Sequence, residues 1–149
     1  MIFHPEDIER LNGIEQVLWP IHCVANTAGS DFVAGLKADS FDATVHKGTH
    51  PDIESYSAFR DIWNTGETEL PELLSRKHVT DIFFVGLAGD YCVKYTAADA
   101  LEYGFKTWLV TDAMKCIAAE EAALEEMKKK GANLITSEEL KQKMTSLST

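Results

Sequence analysis

The run Asp81-Ile82-Phe83-Phe84-Val85-Gly86-Leu87 limits the possible folds more than any other feature of this chain. It is almost continuously apolar and rich in β-favouring side chains, as a parallel strand covered on both faces requires. It stops at Ala88-Gly89-Asp90. Val93, Ala97, Ala100 and Leu101 then recur at helical spacing, with Gly104 where a left-handed C-terminal cap belongs. The pattern repeats downstream: Thr107 to Thr111 reads as a strand, Ala119 to Lys130 as a helix closed by Gly131, and Asn133 to Ile135 as a short strand. Glu125 with Lys129 and Glu126 with Lys130 mark the solvent side of that helix, and Thr136-x-x-Glu139 has the form of a capping box opening a last one. Alternation of this kind predicts a three-layer α/β/α fold with a mainly parallel sheet, the Phe83 strand at its centre and Cys92 at the N-terminus of the following helix. Phe41 to Val45 predicts a further strand, ending at Lys47 and Gly48, and open parallel sheets collect ligands at such C-terminal ends.

No internal repeat, low-complexity tract or linker divides the sequence, so residues 1–149 are expected to form a single domain. A chain of this length buries roughly two-thirds of the surface its unfolded form exposes. The 14 basic and 24 acidic side chains give a net charge of -10, which repels phosphate backbones and anionic headgroups and argues against nucleic acid and membrane partners. Met1 to Leu11 carries Glu6, Asp7 and Glu9 where a signal peptide needs an apolar run. The three cysteines, Cys23, Cys92 and Cys116, have no CxxC spacing, so free thiols in a reducing, cytoplasmic compartment are expected.

Cys92 is the first candidate for chemistry. At a helix N-terminus, unpaired amides and the helix dipole favour a thiolate, whereas a bare cysteine is equally readable as a small buried hydrophobe. The amides of the Ala88 to Cys92 turn could also receive an oxyanion, as acyl transfer requires. Lys47 is either a positive charge beside the reacting centre or a solvated lysine. His22, in the apolar segment Leu18-Trp19-Pro20-Ile21-His22-Cys23, is either a satisfied core histidine or a metal ligand. Trp19, Tyr56 and Tyr91 can stack on a flat ring or simply pack. His4, His46, His50 and His78 show no metal-ligand spacing.

Four motifs then occur in order: Leu18-Trp19-Pro20-Ile21-His22-Cys23-Val24, His46-Lys47-Gly48, Ser55-Tyr56-Ser57-Ala58-Phe59 and Val85-Gly86-Leu87-Ala88-Gly89-Asp90-Tyr91-Cys92-Val93. Together they resemble the nicotinamidases of the isochorismatase-like cysteine hydrolases, and Phe59-Arg60-Asp61-Ile62-Trp63-Asn64 is similar to the eukaryotic, fungal-like branch. The resemblance implies hydrolysis of nicotinamide to nicotinate and ammonia in NAD salvage. Cys92 matches the nucleophile that forms a thioester, and Lys47 the catalytic lysine. The amides of Ala88 and Cys92 match the oxyanion hole, with a non-proline cis peptide before Ala88. Trp19, Tyr56 and Tyr91 match residues around the ring, and His22 matches one ligand of a divalent metal, usually zinc.

The sequence also departs from the family. The family's catalytic aspartate, on its first strand, and an Asp-x-His motif after the second have no counterpart here, so the amino-terminal strands are expected to be missing. His4-Pro5-Glu6-Asp7 lacks the preceding Asp and resembles a later loop instead. The chain alone is therefore expected to turn over nicotinamide negligibly. Two other readings stand beside this one: a non-catalytic family member that binds or self-associates through exposed sheet edges, and a related hydrolase of another small substrate. The Trp19 context argues against the last.

Overall fold

A computed structural model describes residues 17, 19–51 and 53–147. His4 to Asp7 and Leu18 lie outside the described residues. The chain forms two compact units, Met1–Thr44 and Val45–Thr149.

The described part of the first unit is irregular. Short 3-10 turns at Ala28–Ser30 and Ala38–Ser40 are closed by local bonds, such as the Ser30 hydroxyl to the Thr27 carbonyl at 2.8 Å and the Ser40 hydroxyl to the Lys37 carbonyl at 2.7 Å. Phe32 meets Phe41 edge to face at 5.6 Å. The strand expected at Phe41 to Val45 does not form. Phe41 has extended dihedrals, but no described segment supplies the hydrogen-bonding ladder that turns extended backbone into a strand.

The second unit carries the α/β framework. Helix α1 (Leu70–Arg76) starts with Pro71 in its first turn, and the Thr68 hydroxyl accepts the Leu70 N–H at 3.1 Å. Then follow β1 (Asp81–Leu87), a π-helical turn (Gly89–Val93), α2 (Lys94–Glu102), β2 (Lys106–Lys115), α3 (Glu120–Lys129), β3 (Asn133–Ile135) and α4 (Ser137–Leu147). The helix ends fall where glycine permits positive φ: Gly104 stands at 86° after α2 and Gly131 at 104° after α3. The capping box at α4 is complete. Glu139 accepts the Thr136 N–H at 2.7 Å, and the Thr136 hydroxyl accepts the Glu139 N–H at 3.3 Å.

Among the described residues, β1, β2 and β3 pair in parallel in that order, and the unit has the three-layer α/β/α fold class. Phe83 pairs with Trp108, and their rings stack at 5.6 Å. The expectation of a central Phe83 strand is corrected: β2 is the middle strand, and β1 has a described partner on one side only. Val85 and Leu87, on one face of β1, are exposed. Strand β2 is also longer than Thr107 to Thr111. Its register against β1 jumps between Leu109 and Met114, so Val110 to Ala113 bulge away before pairing resumes at Gly86 and Leu87. Val93, Ala97, Leu109, Met114, Met127 and Ala132 form the core, which ties the Cys92 turn, α2 and α3 to β2.

Candidate active site

Strand β1 delivers the chain to the candidate nucleophile. The Leu87–Ala88 peptide is cis. The Ala88 carbonyl then accepts the N–H groups of Tyr91 at 3.1 Å and Val93 at 3.0 Å, closing the turn that holds Cys92 half-buried before α2. Single π-helical turns are frequent at functional sites. The resemblance placed a non-proline cis bond before Ala88, and the backbone has it there.

Two contacts fix this turn from behind. A Cβ on Gly89 would stand 2.6 Å from Cys116 Sγ, so only glycine lets the turn lie against β2's end. The buried Asp90 carboxylate accepts the N–H groups of Ile117 at 2.9 Å, Ala118 at 3.0 Å and Ala119 at 3.2 Å. These amides lead into α3, and a carboxylate there serves as a cap supplied from another element. Burial pushes the Asp90 carboxyl up, but the three amides outweigh it and hold it below the ordinary aspartate value. The Cys116 thiol is pushed up by burial, assisted by the negative charges of Asp90 and Glu120.

In front of the turn, Ser55 to Arg60 is bound to α2. The Thr96 hydroxyl donates to the Cys92 carbonyl at 2.6 Å and accepts the Ala58 N–H at 3.0 Å. Arg60 donates to Asp99 at 2.7 Å and also pairs with Glu102; both partners hold its guanidinium above the ordinary value. Tyr56 is buried, with its ring 5.6 Å from that of Tyr91 and stacked on Tyr95 at 5.1 Å. Lys47 Nζ donates to the Ser55 carbonyl at 2.8 Å. Lys47, Tyr56, Tyr91, Ala88 and Cys92 thus belong to one connected network within the second unit. A cavity of about 310 Å³ lies on the Lys47 side, lined by Lys47, His50, Ser55, Asp61, Glu67 and neighbouring residues; Cys92 is not in its wall.

Trp19 and His22 belong to the first unit. Trp19 is half-buried and His22 exposed. His22 Nδ1 lies 2.7 Å from the Pro20 carbonyl, which can only accept, so Nδ1 donates and the neutral ring keeps its lone pair on Nε2. That is the form in which imidazole binds a metal. Among the described residues, however, no three metal-capable side chains converge.

Thr96, Asp90 and the Arg60–Asp99 pair went unnoticed as site-building residues in the sequence. Thr96 had a usable signal, because a threonine four residues beyond Cys92 on a helix can bond back to its carbonyl. Asp90 had none, since its partners lie 27 to 29 positions away.

The family model of the isochorismatase domain matches residues 3–139. A nicotinamidase of Escherichia coli is 37% identical over 131 residues, covering 85% of this chain and 62% of that protein. The crystal structure of the yeast nicotinamidase bound to the inhibitor nicotinaldehyde aligns with a TM-score of 0.79 and 36% identity, over 82% of this chain and 60% of that one. The pyrazinamidase of Pyrococcus horikoshii in complex with zinc aligns with a TM-score of 0.69 and 40% identity, over 80% and 63% respectively. The chain therefore spans about three-fifths of the length of these relatives.

Proposed function

The chain belongs to the isochorismatase family, and on that premise we propose that it is the cysteine-bearing part of a nicotinamidase, hydrolysing nicotinamide to nicotinate and ammonia. The observation that carries this reading is Cys92 on a pinned turn directly beyond the C-terminal end of β1, in a chain 37% identical to a nicotinamidase. The Cys92 sulfur attacks the amide carbonyl, and the N–H groups of Ala88 and Cys92 receive the oxyanion. The C–N bond breaks, ammonia leaves with the thiol's proton, and a thioester remains. Water then cleaves it, releasing nicotinate and restoring the thiol. Lys47 supplies positive charge beside the reacting atoms, while Tyr56 and Tyr91 hold the pyridine ring. Such chemistry takes place in a reducing, cytoplasmic setting, which suits the three free cysteines, and its product feeds NAD salvage.

A catalytic zinc takes three protein ligands. The described residues do not gather such a set, and His22 offers one nitrogen, so no step is assigned to a metal.

The test is ammonia release from nicotinamide, with zinc supplied. The 149-residue chain is compared with the same chain extended by the portion of the Escherichia coli relative that it does not cover. The extended protein is expected to be active, and Cys92→Ala to lower its turnover by about a thousandfold or more. Turnover unaffected by Cys92→Ala overturns the reading. One observation favours a second reading, self-association: Val85 is 57% and Leu87 74% exposed on a strand with a described neighbour on one side only. Size-exclusion chromatography over a concentration series separates the two, since a concentration-independent monomer excludes association.

A further inference from the structure

We propose that Thr96 is a positioning residue: its hydroxyl locks the Cys92 turn to the Ser55–Arg60 segment, so that one oxygen sets the backbone of the nucleophile and of the strip that receives Lys47. A hydroxyl has one proton and two acceptor sites. The proton is committed to the Cys92 carbonyl at 2.6 Å, and one lone pair to the Ala58 N–H at 3.0 Å, across 38 positions of sequence. Threonines that bond back to a helix carbonyl are ordinary. What singles out Thr96 is that the same oxygen also holds a remote backbone amide, in a site buried from competing water. Ala58 is bound on its other side as well, its carbonyl accepting the Thr68 hydroxyl at 2.6 Å. Tyr56 and Ser55 precede it by two and three residues. Movement of Ala58 therefore displaces both the ring stacked on Tyr91 and Tyr95 and the carbonyl that receives Lys47 Nζ.

The proposal rests on Cys92 as the nucleophile, and its test can fail independently of that reading. Thr96→Val keeps the shape and removes both bonds, while Thr96→Ser keeps the hydroxyl. The Arg60–Asp99 pair still ties the segment to α2 in either variant. The readout is the iodoacetamide labelling rate of Cys92, followed by peptide mass spectrometry in the full chain, with Cys23 of the first unit as internal reference. Thr96→Val is expected to slow Cys92 by about five- to thirtyfold, the effect of one or two lost hydrogen bonds, and Thr96→Ser to restore the rate. A Val variant as fast as the parent, or a Ser variant as slow as Val, overturns the proposal. If Cys92 of the parent is itself unreactive, the nucleophile reading fails instead. Hydrogen exchange of the unmodified chain gives an answer that needs no variant. The Ala58 amide must exchange as slowly as the Val93 amide of the Cys92 turn, and a freely exchanging Ala58 amide overturns the coupling.

Discussion

The stretch around Cys92 and the stretch around His22 each carry one of the motifs that point to chemistry, yet they are built differently. Cys92 sits where a strand, a turn and a helix meet. Its turn is held by Asp90 on three amides, by Gly89 against Cys116 and by Thr96 on its own carbonyl. The described residues near His22 are joined by short-range bonds, such as that from His22 to Pro20, and Ile21 beside it is 92% exposed. Long-range bonds make a side chain's direction a property of the whole fold. Local turns fix only the few residues they close.

Removing the tie that gathers three amides on one carboxylate should have the largest effect. Asp90→Ala removes the buried carboxylate that accepts three amides and should cost about 2–4 kcal/mol in urea unfolding. Asp90→Asn tests the charge. The folded carboxyl titrates below its unfolded value of about 3.9, so its stabilisation is fully present above that value and is lost as pH falls through the lower folded value. The gap between wild type and Asp90→Asn should thus be constant near neutrality and close in acid. A gap that widens in acid would break the assignment.

A smaller effect is expected from Gly89→Ala, whose added methyl meets Cys116 Sγ. Overpacking of this kind costs about 1–3 kcal/mol. Combining it with Cys116→Ala opens the space, so the double variant should be more stable than the sum of the single changes predicts. Strict additivity would show that the close approach does not exist. The smallest effect belongs to the first unit: Ser30→Ala removes an exposed bond to Thr27 and should change unfolding by no more than about 0.5 kcal/mol. A loss as large as that of Asp90→Ala would erase the contrast between the two regions.

The same contrast governs what the sequence revealed. Strands β1 and β3, the glycine-terminated helices and the Thr136–Glu139 box were legible because each signal lies within a few residues of its effect. Helix α1 escaped notice because seven residues with an early proline leave little periodicity. Phe41 to Val45 has a strand-like composition but no ladder, and pairing is a tertiary event that no local pattern reports. The place of β1 at the edge of the sheet formed by the described residues escaped for the same reason. For the candidate site, the cysteine and its turn were readable from the strand-turn-helix pattern, and the resemblance supplied the cis bond before Ala88. The Asp90 clamp is set by residues distant in sequence and became visible only with the fold.

The most direct test of the central claim, that the pinned turn makes Cys92 the reactive thiol, is competitive labelling of all three cysteines. The chain is treated with limiting iodoacetamide at neutral pH and the modified peptides are quantified. Cys92 should be labelled first and Cys116, whose thiol is pushed up by burial and by neighbouring carboxylates, last. Labelling of Cys116 or Cys23 ahead of Cys92 would contradict the account.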